Sequence, residues 1–137
     1  MTYLLDTNVI SELRKRHPDL NVVAWYDTVP SAELFISVLT IGEIRLGIER
    51  LREKDPAQAD HLDNWLQGLR ATYQDHIVGI DVAAAEEWGR LNAHDRLPVI
   101  DGLLAASAKI RGWTLVTRNT ADLARSTVML LNPFERP

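Results

Sequence analysis

The period of the apolar residues switches repeatedly along this chain. The short runs Tyr3–Leu5, Leu34–Ile36, Ile77–Ile80, Thr114–Thr117 and Val128–Leu131 are too brief for helices and rich in strand-forming residues. Between them the pattern predicts helices over residues 8–16, 21–27, 38–52, 56–75, 82–94 and 99–111. In the third of these, Ile41, Ile44, Ile48 and Leu51 share one face at helical spacing. In the fourth, Leu62, Trp65, Leu66 and Leu69 do the same. Pro56 and Pro98 read as helix starts, because proline lacks an N–H that the first turn does not need.

Strands that alternate with helices imply a parallel sheet covered on both faces. The expected fold class is α/β: a single α/β/α sandwich around a central, mainly parallel five-stranded sheet, as one domain over residues 1–137. Right-handed crossovers would put the C-terminal ends of all strands at one edge, where open α/β sheets bind ligands.

Composition narrows the class. A chain of 137 residues, 46% hydrophobic and 25% charged, suits one soluble domain with a real core. There is no apolar run of membrane-spanning length and no secretory signal pattern, so no membrane association and a cytoplasmic location are expected. The absence of cysteine excludes disulfides, thiolate metal sites and a cysteine nucleophile. A net charge of −4 argues against simple coating of nucleic acid, though not against a nuclease whose acids are offset by cations. Two basic clusters stand out, Arg14-Lys15-Arg16 and Arg45, Arg50, Arg52 and Lys54. Each reads either as a solvated helix face or as a rim for phosphate or an acidic partner.

Three carboxylates are out of keeping with their surroundings. Asp6 follows an apolar strand directly, Glu43 lies inside an apolar helix, and Asp101 opens the helix Val99–Arg111, which is apolar on nearly every face. Separately each has an ordinary explanation: Asp6 as a helix cap, Glu43 as a half-solvated side chain, Asp101 as a first-turn acid favoured by the helix dipole. Together they point to one cleft. Two carboxylates about 5 Å apart repel by roughly 3 kcal/mol at an effective dielectric near 20, so a cluster calls for a cation. Carboxylate oxygens are hard ligands, which favours Mg²⁺ or Mn²⁺ and chemistry on phosphate. Asn119 and Asp122 follow the fourth strand and reach the same edge. The histidines, His17, His61, His76 and His94, are scattered and give no zinc spacing. No phosphate-binding glycine loop or serine nucleophile elbow is present. A phospho-accepting receiver domain would want a paired acid after the first strand and a lysine after the fifth, and neither is found.

Four segments in series then resemble a known family. Leu4-Leu5-Asp6-Thr7-Asn8-Val9-Ile10-Ser11-Glu12-Leu13 resembles the opening motif of PIN-domain proteins, specifically the VapC/FitB-type toxins of bacterial toxin–antitoxin pairs. Ile36 to Gly47, centred on Glu43, resembles the second motif. Asp101-Gly102-Leu103-Leu104-Ala105-Ala106-Ser107-Ala108 resembles the third. Leu115 to Asp122 resembles the fourth, and Leu131-Asn132-Pro133-Phe134 the ending of the FitB-like branch. The resemblance covers essentially the whole chain. It implies a PIN-type sandwich and a Mg²⁺-dependent endoribonuclease, with Mn²⁺ able to substitute. It implies Asp6, Asp101 and Glu43 as metal ligands, and Asn119 and Asp122 as the remaining catalytic positions. The family's frequent fourth acid is replaced here by the amide of Asn119, with Asp122 one turn on as a substitute. Thr117 and Asn8 are expected to hold the carboxylates by hydrogen bonds. The implied partners are RNA as substrate, a small VapB/FitA-like antitoxin, a second copy in a homodimer, and operator DNA only through the antitoxin. A catalytically weak PIN domain acting mainly in a regulatory complex is the competing expectation.

Overall fold

The computed structural model describes residues 1–136. The elements run β1 (Tyr3–Leu5), α1 (Thr7–Arg14), α2 (Leu20–Thr28), β2 (Leu34–Ser37), α3 (Val38–Arg52), α4 (Pro56–Thr72), β3 (Ile77–Val78), α5 (Val82–His94), α6 (Val99–Arg111), β4 (Thr114–Val116), α7 (Thr120–Leu123) and β5 (Met129–Leu131). The strands form one sheet in the order β3-β2-β1-β4-β5, and every pairing is parallel. The expectation of a mainly parallel sheet therefore becomes an entirely parallel one.

Alternation along the strands sorts the core into two layers. Leu5, Leu34, Ile36 and Val116 face one layer, with Val9, Ile10, Val22, Ile44, Ile48 and Leu66 from the first four helices. Leu4 and Leu115 face the other, with Leu104, Ala105, Ala108 and Leu123. In α3 it is Ile44 and Ile48 that are fully buried, as their spacing predicts, while Ile41 and Leu51 pack at the margin.

Caps fix the helices that matter for the site. Ser37 accepts from the Leu39 N–H at 3.0 Å and starts α3. Asp81 accepts from the Ala84 N–H at 2.9 Å and starts α5. Pro98, extended at φ −52° and ψ 142°, precedes α6, and Gly112 ends it in the left-handed conformation at φ 70°. These helices match their predicted ranges. Other predicted elements differ at their ends: the helix over 8–16 runs Thr7–Arg14, and the strands over 114–117 and 128–131 are Thr114–Val116 and Met129–Leu131. A further strand and helix are also cut back. The strand predicted over 77–80 stops at Val78, because the chain turns at Gly79 towards the Asp81 cap. The helix predicted over 56–75 ends at Thr72, and a single 3₁₀ turn at Gln74–His76 leads into β3.

Chain order reverses at the centre of the sheet. From β1 the chain moves outward through β2 and β3, then returns to the other side of β1 with β4. The crevice between the C-terminal ends of β1 and β4 is the place where such sheets take ligands. Asp6 and Thr117 stand at its two sides.

Candidate active site

Asp6 leaves β1 and caps α1. Its Oδ1 accepts from the Thr7 N–H at 2.7 Å, and its Oδ2 accepts from the Thr117 hydroxyl at 2.7 Å. The side chain is 4% exposed, so both bonds are made away from bulk water. The capping role and the site role are thus combined in one residue. Thr117 closes the crevice from the β4 side and also accepts from the Asn119 N–H at 3.0 Å and from Asn8 Nδ2 at 3.3 Å. Asn8 reaches Asp6 Oδ2 at 3.3 Å and accepts from the Arg118 N–H at 3.3 Å, so it laces the loop after β4 to the start of α1.

Glu43 comes in from α3. Its Oε1 accepts from the Thr7 hydroxyl at 2.6 Å. The Thr40 hydroxyl, fully buried, lies 3.0 Å from that of Thr7. Thr7 has a single proton and gives it to Glu43, so Thr40 donates to Thr7. This relay was not anticipated from the sequence, which assigned Thr7 no role. It arises because β2 pairs with β1 and brings α3 beside α1.

Asp101 sits in the first turn of α6, half-buried, with no hydrogen-bond partner among the described residues. Burial raises its proton affinity above the ordinary carboxylate value, and the charges of Glu43 and Asp122 raise it further. Burial also pushes Asp6 up, partly countered by the Thr117 hydrogen bond; the charge of Asp101 raises it, the Thr7 N–H lowers it, and the charge of Glu43 raises it again. Asp6, Glu43 and Asp101 therefore lie within one another's electrostatic reach, and Asp122, exposed on α7, acts on Asp101. Asn119 is half-buried at the head of α7 and touches the site through its backbone N–H to Thr117.

Among the described residues, no three His, Cys, Asp or Glu side chains are gathered closely enough to hold a metal ion. The donor set still suits a hard divalent cation. It consists of carboxylates, it includes Asp101 with a free carboxylate, and burial first and neighbouring acids second raise the proton affinity of Asp6 and Asp101, a cost that a cation relieves.

The basic clusters resolve differently. Arg45 makes a two-pronged contact with Asp63 at 3.0 and 2.9 Å, and Arg52 reaches Asp60 at 2.8 Å and Glu49 at 3.2 Å. Of the second cluster, Arg45 and Arg52 thus tie α3 to α4. In the first, Lys15 pairs with Glu12 at 2.8 Å and Arg14 lies over Trp65 at 5.7 Å. Glu12 is a buried acid that sequence reasoning left unassigned. Its second oxygen accepts from the Asp19 N–H at 2.9 Å, which pins the α1–α2 turn.

An all-parallel α/β sandwich with acids and a hydroxyl scaffold gathered at its switch point is the arrangement of a known class of domain. The chain belongs to the PIN domain family, which it matches over residues 3–126, and to the VapC/FitB-type branch of it. It is similar to the protein named toxin FitB of Neisseria gonorrhoeae, at 29% identity over 136 residues covering 96% of this chain and 97% of that one. It is similar to VapC ribonuclease Y4jK of Sinorhizobium fredii, at 31% identity over 140 residues covering 96% and 97%. Among solved structures it is similar to FitAcB from Neisseria gonorrhoeae, with a TM-score of 0.91, 29% identity, and coverage of 98% of this chain and all of that one. No helix among the described residues is long and apolar enough to cross a membrane.

Proposed function

We propose that residues 1–137 act as one PIN domain, the toxin of a toxin–antitoxin pair, and that its activity is endoribonucleolytic hydrolysis of RNA with Mg²⁺ or Mn²⁺. The observation that carries this reading is the coupling of Asp6, Glu43 and Asp101 at the β1/β4 crevice of a PIN sandwich. The relative named a VapC ribonuclease supports the substrate class. The relatives named FitB and FitAcB support a toxin that works with a small FitA-like antitoxin. Through that antitoxin the complex would reach operator DNA, and a homodimer is the expected toxin assembly.

Asp6, Asp101 and Glu43 would hold the metal, with Asn119 and Asp122 completing the site. When bound, the cation supplies a nucleophilic water at neutral pH and stabilises charge on the phosphoryl oxygens. The chain's own residues prepare that step. Thr7 and Thr117 each commit one oxygen of Asp6, which fixes the carboxylate plane in advance of any ligand. Thr7 holds Glu43 by Oε1 and leaves Oε2 without a protein partner among the described residues, placed to accept a hydrogen bond from the attacking water. Asp101 presents an uncommitted carboxylate from the first turn of α6. In-line attack then leaves a 5′-phosphate and a 3′-hydroxyl.

The test is cleavage of total cellular RNA by antitoxin-free protein, with Mn²⁺, with EDTA, and with Asp6→Asn and Asp101→Asn alongside. Discrete fragments that need both metal and intact acids are expected. The amide at Asn119 favours one competing reading, a catalytically weak domain in a regulatory complex. Folded, metal-loaded protein that cleaves no RNA would select it.

A further inference from the structure

The loop between β4 and α7 carries one cation that the site described above does not use. Arg118 lies between Thr117 and Asn119, and its backbone N–H is tied to Asn8. Its side chain is exposed, and its guanidinium lies 3.7 Å from the centre of the Phe134 ring. Among the described residues it makes no ion pair. Phe134 is itself held in place: its N–H donates to Asn132 Oδ1 at 3.0 Å, and its carbonyl accepts from Asn21 at 2.9 Å. The Asn132 side chain also reaches the Arg118 carbonyl at 3.4 Å.

An arginine stacked on an aromatic face keeps the N–H edges of its fork free while losing much of its rotamer freedom. This is how a planar donor is prepared for a phosphate. Its surroundings fit that ligand. The backbone of Arg118 is laced to Asn8 in the first turn of α1, the residue that also braces Asp6. The chain as a whole is anionic at −4, and its site is a cluster of acids. A polyanion approaching such a site needs a preorganised cation beside it.

We propose that Arg118, stacked on Phe134, binds a backbone phosphate of the RNA strand next to the scissile bond. The proposal rests on the ribonuclease reading and adds the contact that seats the strand.

The test pairs steady-state cleavage with binding of fluorescently labelled single-stranded RNA by the cleavage-inactive Asp6→Asn protein in Mg²⁺ across a KCl series. Arg118→Gln should raise KM and Kd about fivefold and change kcat by less than about twofold, the worth of one exposed charge contact. It should also reduce the slope of log Kd against log salt by about 0.7, one phosphate on a single strand. Arg118→Lys should keep the slope and recover only part of the affinity. Phe134→Leu should weaken binding in the same direction, by less. An Arg118→Gln protein with unchanged Kd and slope would overturn the proposal. So would unchanged RNA binding with weakened affinity for an antitoxin, which would assign the arginine to a protein partner. If the parent cleaves no RNA, the ribonuclease reading fails on its own, and the binding series still decides whether Arg118 contacts phosphate.

Discussion

The Thr7 hydroxyl donates to Glu43 Oε1 at 2.6 Å, and the same residue's backbone N–H donates to Asp6 Oδ1 at 2.7 Å. One residue at the start of α1 therefore sets two of the three principal acids relative to each other. A hydrogen bond to a charged group contributes about 1.5–3 kcal/mol when made away from water. Thr7→Val keeps the shape and the N–H but removes the hydroxyl. It should leave Asp6 in place, free Glu43, and lower kcat by about tenfold. Thr7→Ser should restore most of the rate. Equal rates for the valine and serine variants would show that the hydroxyl plays no part.

The acids oppose folding when no cation is bound. Asp6 and Asp101 have folded-state proton affinities raised above their unfolded values. For such groups the folded state binds more protons, so their contribution to stability is most favourable at low pH and worsens as pH rises through the raised pKa. Replacing Asp101 with Asn removes one charge from the cluster. Metal-free Asp101→Asn protein should melt above the parent at pH 7, by about 1 kcal/mol in stability. The gap should narrow as pH falls through the raised pKa of the parent's acids and protonates them. Excess Mn²⁺ should raise the parent's Tm and leave that of Asp101→Asn much less changed. A metal-free variant less stable than the parent at pH 7 would show that the acids are not in mutual repulsion.

What was legible in the chain depended on whether the signal was local. Pro98 before Val99 announces its helix through its own chemistry, and the helices over 38–52, 82–94 and 99–111 fall where the apolar pattern places them. The end of β3 was not legible, because Ile80 continues the apolar run and only the three-dimensional turn into the Asp81 cap stops pairing at Val78. The acids of the site could be picked out as carboxylates at odds with apolar neighbours. Their brace could not. Thr7 meets Glu43 across 36 positions of sequence, and only the pairing of β1 with β2 creates that contact. The Asp63 partner of Arg45 was hidden for the same reason, since it belongs to α4.

That α3–α4 contact has its own pH signature. Asp63 accepts from Arg45, which, with a hydrogen bond from Gln67, holds its carboxyl down at about 2, below the ordinary 3.8. A depressed folded pKa gives stability that is present above the unfolded value and is lost as pH falls towards the folded one. Asp63→Asn should lower Tm at pH 7 by about 2 °C, a modest change because the pair is open to solvent. The difference should disappear near pH 2. A variant whose deficit persists unchanged at that pH would locate the effect in packing rather than charge.

Gly102 sits beside Asp101 where α6 crosses α5. A Cβ there would lie 3.1 Å from Trp88 Cδ1 and 3.2 Å from Nε1, closer than side chains normally tolerate. Two effects compete in Gly102→Ala. Alanine gains about 1 kcal/mol of helix propensity over glycine, while overpacking a filled contact costs about 1–3 kcal/mol. The net change in stability should be small and unfavourable. The geometry changes more than the energy, because the indole and the first turn of α6 must separate by a few tenths of an ångström, and Asp101 rides on that turn. Activity should therefore fall by about tenfold in a protein that still melts within a few degrees of the parent. The second-site change Trp88→Phe, which removes Nε1 and reduces the ring that faces Gly102, should return part of the lost rate. Full activity in Gly102→Ala alone would mean that the spacing of α5 and α6 does not set the position of Asp101.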